Sequence, residues 1–367
     1  MSPRVALVLG SSTGGVGTHV ARLAQGLVRA EQEVTVYGPA STDALFGFAA
    51  SGAAFVPVEI PASPRLRDAA AVAALRRSWR ERPEVIHAHG LRAGMVAGLA
   101  RPEPVPLVVT WHNAVLAEGF RGRALGLLER RVARSADVSL CVSPDLAARA
   151  REFGGRDVRF APVLAPPLPP PTASRAEVRD ELGLAPDQPM ILAVGRLHPQ
   201  KAHHILVEAA ARWRVRTPRP AVFIAGTGPT FIQLGAQISE QRAPVTLLGY
   251  RSDVPNLLAA ADIAVVTSVW EGSQLFAQEA LRAGVPLVAT AVGGQPELVG
   301  DGAILVPAGD VDAVDAAVSR LLADPAARAE LAARGLRQAA TWPTEEQTID
   351  RVLDLYRQLC TVPSAER

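Results

Sequence analysis

The chain has 367 residues, of which 49% are hydrophobic and 20% charged, with a formal net charge of +2. That length and apolar content allow two cores of ordinary domain size and exclude a disordered chain. Cys141 and Cys360, the only cysteines, lie in opposite halves and exclude a disulfide framework or a cysteine metal cluster, as fits a reducing cytosol.

Charge is divided unevenly: residues 1–170 hold 20 basic and 14 acidic residues (+6), leaving 18 and 22 (−4) for the rest. The opening run Val5–Leu9 is too short for a signal-peptide core, and no stretch is long enough to span a membrane, so a cytoplasmic protein is expected, with no nucleic-acid partner.

Short apolar runs alternate with helix-length amphipathic stretches, the pattern of βα units that build parallel sheets covered on both faces. Strands are predicted near 4–9, 33–37, 54–58, 84–88, 107–111 and 137–142. Ala161–Pro171 then carries six prolines, which can form neither helix nor central strand, and is expected to be an extended linker. The alternation restarts with strands near 190–195, 221–226, 245–249, 263–267, 286–290 and 303–306. The expected fold is α/β, with two Rossmann-like parallel-sheet domains facing across a cleft, the first over 1–165 and the second over 166–341, and a C-terminal helix over 342–367 packing back on the first.

Residues with chemistry fall at the strand ends, where such sheets bind ligands. Gly14, Gly15 and Gly17 precede a helix and permit close backbone approach to an anion at its positive end. Val20 stands where a dinucleotide fingerprint needs its third glycine, and no ribose-binding acid ends the second strand, so a nicotinamide dehydrogenase is not expected. Gly10, Ser12 and Gly14 also match a hydrolase nucleophile elbow, but no histidine follows His204 to complete that triad. His87 and His89 flank Ala88 at a strand end, without further ligands at useful spacing for a metal. His112 lies at the tip of the strand before it, within reach of a substrate. Asp310-Val311-Asp312 resembles a metal motif but reads better as a helix cap.

Of the 38 Lys and Arg residues, one is a lysine: Lys201, six residues after Gly195 in Gly195-Arg196-Leu197-His198-Pro199-Gln200-Lys201. An ammonium on a flexible stem beside the guanidinium of Arg196 suits a diphosphate. His198, His203 and His204 are read as surface or supporting residues. Glu271-Gly272-Ser273-Gln274-Leu275 leads to Glu279, eight residues on, a spacing that would put both acids on one side of a helix. Carboxylates accept bonds from sugar or ribose hydroxyls while cations and helix N–H groups neutralise phosphates, so a nucleotide-sugar satisfies both.

In order and spacing, Gly14-Gly15 with His19, Val85-Ile86-His87-Ala88-His89, Val109-Thr110-Trp111-His112, Gly195-Arg196 with Lys201, Ala225–Pro229, Glu271 with Glu279, and Gly293–Glu297 resemble the GT-B glycosyltransferases of family 4 over almost the whole chain. The resemblance implies a retaining, metal-independent transferase without a cofactor, in which Arg196 and Lys201 hold the donor diphosphate, Glu279 the ribose, and Glu271 with neighbouring N–H groups the sugar. It also implies that His112 lies near the transferred sugar, that the Gly14–Gly17 loop closes on the diphosphate and acceptor, and that the nucleobase packs near Gly249, Tyr250 and Arg251. His19, His87 and His89 become acceptor-side residues, and Ser273, Gln274 and Leu275 donor-side ones. Ser273-Gln274 departs from the aromatic-then-Gly/Pro pair common in the family, and Ala202 stands where glycine is frequent.

The activity so implied moves a hexose or N-acetylhexosamine from a nucleoside-diphosphate sugar, UDP-sugar ahead of GDP-mannose, to a hydroxyl of a glycolipid, cell-envelope precursor or small molecule. The rivals are a degenerate nucleotide-sugar-binding protein, supported by Ser273-Gln274 alone, and a phosphorylase or sucrose-type synthase. A helix over Arg67–Arg82 with Val72, Leu75 and Trp79 beside Arg76, Arg77 and Arg80 would give peripheral contact with anionic lipid at the cytoplasmic face if the acceptor is lipid-linked. Nothing in the residues specifies an oligomeric state.

Overall fold

The computed structural model of the chain describes residues 3–12, 14–60, 68–79, 83–117 and 119–361. They form two α/β units, one running to Val163 and resumed from Pro343, the other spanning Leu164–Trp342.

In the first unit β1 (Arg4–Leu9), β2 (Glu33–Gly38), β3 (Ala54–Pro57), β4 (Val85–His89), β5 (Leu107–Trp111), β6 (Val138–Cys141) and β7 (Asp157–Phe160) make one sheet in the order β3-β2-β1-β4-β5-β6-β7. In the second, β8 (Met190–Val194), β9 (Ala221–Ala225), β10 (Val245–Gly249), β11 (Ile263–Val266), β12 (Leu287–Thr290) and β13 (Ala303–Val306) follow the order β10-β9-β8-β11-β12-β13. Every pairing is parallel.

The near-continuous apolar strands follow from burial on both faces. Along β8, Ile191 and Ala193 enter one core cluster of the second unit while Met190 and Leu192 enter the other. β11 divides likewise, Ile263 and Val265 against Ala264 and Val266. β7 escapes the apolar pattern because it is a short edge strand whose Arg159 and Phe160 are exposed, Arg159 pairing with Asp157 instead of filling a core.

The order of strands reverses between β1 and β4 and between β8 and β11, so each unit has a topological switch point where neighbouring loops diverge and leave a crevice. The loop after β1 ends at Gly14, ahead of the helix that opens with Gly15–Gly17, and the one after β4 follows His89; the loop after β8 carries Arg196 and Lys201 and the one after β11 carries Glu271.

The proline-rich stretch is tied to the second unit: Ala165 N donates to Gln278 Oε1 at 2.8 Å, and Arg282 donates to Ala165 O and to Pro166 O. The final helix, Glu345–Thr361, returns to the first unit, where Ile349, Leu353, Leu355 and Tyr356 join the core of β1, β2 and the helix Gly15–Arg29. Glu345 binds Arg22 and Arg29 of that helix at 3.2 and 2.6 Å.

Of the basic helix expected over Arg67–Arg82, the structure describes Asp68–Ser78, and Arg67 and Arg80–Arg82 lie outside the described residues. Leu75 and Trp79 are buried in the protein, Trp79 edge-on to Tyr37, and Val72 is half-buried.

Tyr356 is fully buried and its hydroxyl meets His87 Nδ1 at 2.6 Å. Tyr356→Phe orphans that nitrogen, and urea unfolding is expected to show a loss of about 1–3 kcal/mol; an unchanged midpoint would mean the final helix is held by its apolar contacts alone.

Candidate active site

In the second unit the turn after β8 runs Gly195-Arg196-Leu197 into a short 3-10 turn, Pro199–Lys201, which His198 caps by accepting from Gln200 N. Ala202 then takes φ 46, a left-handed conformation that disfavours a side chain, and starts the helix His203–Arg212. This reversal brings the lysine stem past Gly195 and delivers Lys201 Nζ to Glu271 Oε1 at 2.5 Å.

Glu271 is nearly buried, with 7% of its side chain exposed, against 18% for Lys201. Its Oε1 also accepts from Ser268 Oγ and from Gln274 Nε2 at 3.3 Å. Among the described residues Oε2 accepts no hydrogen bond, so one carboxylate oxygen remains for a ligand hydroxyl.

The backbone of this loop is clamped. Gln200 Nε2 donates to Trp270 O and Val269 N donates to Gln200 O, both at 2.9 Å, joining the lysine loop to the glutamate loop. Thr290 Oγ1 donates to Ser268 O at 2.6 Å, and Gly294 N to Glu271 O at 2.9 Å. Gly293, at φ 56, packs so closely that a Cβ would lie 1.9 Å from Glu271 O. Ser268, Gln200 and Thr290 are the supports that sequence reading missed; Gln200 stood inside the lysine segment, but nothing in its spacing showed that it faces Trp270.

Several expectations need correction. Glu271 precedes the helix Leu275–Arg282 by four residues, so the eight-residue spacing does not place it on one helical face with Glu279. Glu279 is partly buried on that helix, and burial raises its carboxyl against the charge of Arg282. Of the three histidines read as surface or supporting residues, His203 is the buried one; burial and then the charge of Lys201 push it down to about 4. Arg251 is committed to Asp253 and Glu181, at 2.6 and 2.8 Å, beside a Tyr250 that is 77% exposed. Arg196 is exposed and makes no ion pair with the described residues. Ser273 and Leu275 are half-buried at the entry to the helix, whose first N–H groups have no partner within it. Asp310 caps the helix Val311–Ala323 through Ala313 N at 2.9 Å.

In the first unit Gly14 precedes the helix Gly15–Arg29, Ser12 Oγ accepts from Gly17 N at 3.1 Å, and Gly17 lies against the Phe46 ring; Thr13 lies outside the described residues. His19, from the second turn, meets His89 from the end of β4 and His112 from beyond β5, with ring centroids 5.4 and 5.5 Å away. His89 Nδ1 and His112 Nε2 are 3.3 Å apart. His87 is held by Tyr356 and, at 2.6 Å, by Thr110 Oγ1. Side-chain partners for His87 and His89 thus arrive from other elements. Burial pushes His19 down to about 4 and His87 to about 3, the latter helped by the charge of His19, and holds His89 and His112 well below the ordinary value. All four rings are neutral at pH 7.

Comparison with known proteins now defines the class. Residues 14–166 match the glycosyl transferase 4-like domain and residues 174–338 the glycosyl transferases group 1 family. The chain is 34% identical over 314 residues to the D-inositol 3-phosphate glycosyltransferase of Geodermatophilus obscurus, covering 77% of this chain and 69% of that one. To the protein of the same name from Mycobacterium bovis it is 33% identical over 315 residues, 77% of this chain and 63% of that one. The chain belongs to the group 1, family 4 glycosyltransferases and is an enzyme of that class. The fold is GT-B: HepE of Anabaena, solved with UDP, superposes with a TM-score of 0.81 at 21% identity, covering 97% of this chain and 100% of its own. WaaG, a glycosyltransferase involved in lipopolysaccharide biosynthesis, gives 0.74 at 18% identity, covering 96% and 99%. No helix among the described residues is long and apolar enough to cross a membrane.

Gly226, at φ 146, would place a Cβ 1.9 Å from Gly195 O. Gly226→Ala forces the turn that carries Arg196 to move and is expected to cost about 3 kcal/mol or more in urea unfolding; a change within about 0.5 kcal/mol would show that the turn yields freely.

The depressed histidines set a pH dependence. Above their unfolded value of 6.5 both states are neutral; below it the unfolded chain takes up protons that the folded rings refuse, so stability falls as pH drops from 6.5 toward 4. Glu279, with a raised carboxyl, acts oppositely but is one group against several. The thermal midpoint should decline steadily from pH 7 to pH 5; a flat profile would contradict neutral burial.

Proposed function

We propose that the chain transfers a hexose or N-acetylhexosamine from a nucleoside-diphosphate sugar, a UDP-sugar before GDP-mannose, to an acceptor hydroxyl, with retention of configuration and without a metal. The observation that carries this reading is the Lys201–Glu271 pair at the switch point of the second sheet, with exposed Arg196 on the same turn. A dianionic diphosphate outcompetes one carboxylate for the ammonium, so donor binding exchanges Lys201 from Glu271 to phosphate. Glu271, still held by Ser268 and Gln274, is then free to accept sugar hydroxyls.

HepE has been solved with UDP, with UDP and glucose, and with UDP-glucose, which favours uracil among the bases. Glu279 is assigned to the ribose, Tyr250 offers an exposed ring to the base, and Arg251 lends the turn its rigidity through Asp253 and Glu181. Acceptor recognition falls to the first unit and its neutral histidines, His19, His87, His89 and His112. The curated relatives are named for D-inositol 3-phosphate, and the +6 charge of residues 1–170 suits an anionic acceptor, so a phosphorylated polyol belongs beside glycolipids and cell-envelope precursors in any screen.

Breaking the anomeric C–O bond gathers negative charge on the departing diphosphate, and fixed cations stabilise that charge as it develops. With no carboxylate among the described residues assigned as nucleophile, the leaving phosphate is taken to assist the acceptor hydroxyl on the same face of the sugar. The proposed reaction needs only the donor and an acceptor hydroxyl.

Calorimetric titration with UDP, GDP and ADP is expected to show saturable binding of one nucleotide that Lys201→Ala abolishes. In a transfer assay, loss of Lys201 or Arg196 should lower the rate roughly 100- to 1000-fold, equivalent to about 2–4 kcal/mol of barrier. NMR of the first product should show the donor's anomeric configuration. Failure of every nucleotide to bind would favour a degenerate homologue, and an inverted product would exclude the same-face mechanism.

A further inference from the structure

The histidine cluster of the first unit has a geometry that sugar chemistry does not require. The ligand atoms of His19, His89 and His112 all lie within 4.8 Å of one another. His89 Nδ1 and His112 Nε2 are 3.3 Å apart. Two nitrogens bound tetrahedrally at about 2.0–2.1 Å from zinc are separated by about 3.3–3.4 Å, so these two already stand at the spacing of a coordination edge. We propose that His19, His89 and His112 form a binding site for a transition-metal dication of the zinc type, filled by three imidazoles with a fourth position left to water.

The rings come from three separate elements, the helix Gly15–Arg29, the end of β4 and the segment after β5, so they converge from different sides instead of lying along one face. His89 ends a buried strand and His112 is buried just beyond another, while His19 is only partly buried and its side chain can rotate to close the remaining distance. His87 is not a fourth ligand, since Nδ1 meets Tyr356 and Nε2 meets Thr110; at a centroid distance of 4.2 Å it braces His89. An all-nitrogen donor set selects zinc, cobalt, nickel or copper over magnesium, calcium or manganese.

Binding rests on the geometry of the first unit alone. Its consequence rests on the proposed function: a cation on His112 would occupy the ring assigned to the reaction, so zinc should inhibit transfer and a chelator should restore it.

Titration of the metal-free full chain with zinc chloride is expected to show one site per chain, and cobalt should give the intense visible absorption of a tetrahedral complex. His19→Gln and His89→Gln should each weaken zinc by about tenfold or more, while a His198→Gln/His204→Gln double variant, altered at exposed histidines of the other unit, should bind as the parent does. Circular dichroism and the thermal midpoint establish folding; if His89→Gln unfolds, the more exposed His19→Gln carries the comparison. Absence of saturable binding, an affinity indifferent to His19→Gln, or loss in the His198/His204 variant would overturn the proposal. In the first case the 3.3 Å contact is a plain imidazole hydrogen bond.

Discussion

All strand pairings in both sheets are parallel, and the placement of every functional candidate depends on that constraint. A parallel strand can be joined to the next only by a crossover, so each strand delivers its C-terminal loop to one edge of the sheet. Where the strand order reverses, the crossovers on either side go to opposite faces, and two loops are left facing a gap that no helix fills. In the first unit the gap lies between the ends of β1 and β4, close to His19 and His89; in the second it lies between β8 and β11, and Lys201 meets Glu271 there. Residues seventy positions apart in the sequence thus form a 2.5 Å ion pair without any special long-range device.

The ion pair has a cost that its surroundings offset. Burying an ammonium and a carboxylate together is close to neutral at best, and becomes unfavourable when either loses its partner. Ser268 and Gln274 keep Glu271 hydrogen-bonded independently of the lysine, while Gln200 and Gly294 fix the backbone beneath it. The carboxylate is therefore positioned whether or not the lysine is present, which is the property an exchange of Lys201 onto a diphosphate requires. Gln274, one of the residues at which this chain departs from the common family pattern, supports Glu271 directly and does not argue for a degenerate site.

Much of the fold was legible because parallel strands buried on both faces are almost wholly apolar, as at Met190–Val194 and Ile263–Val266. β7 was not, since an edge strand with Asp157 and Arg159 has only its backbone to announce it. In the site, Lys201 and Glu271 stood out by rarity and by motif. Their contact, and the supports Ser268, Gln200 and Thr290, depend on which loops meet in space. Helical periodicity misplaced Glu271 relative to Glu279 because the helix begins only at Leu275. The burial of His203 and the convergence of His19 on His89 and His112 were likewise hidden, as each depends on contacts between distant elements.

Because the chain contains a single lysine, that residue can be watched alone. Protein labelled with carbon-13 at the lysine ε position should give one side-chain NMR signal from Lys201, and titration with UDP reports on the proposed exchange of partners. The account predicts a saturable shift of that signal with the same affinity as the calorimetric binding, and a starting position altered in Glu271→Gln. Binding of UDP that leaves the signal unmoved would show that Lys201 stays on Glu271 and does not hold the diphosphate.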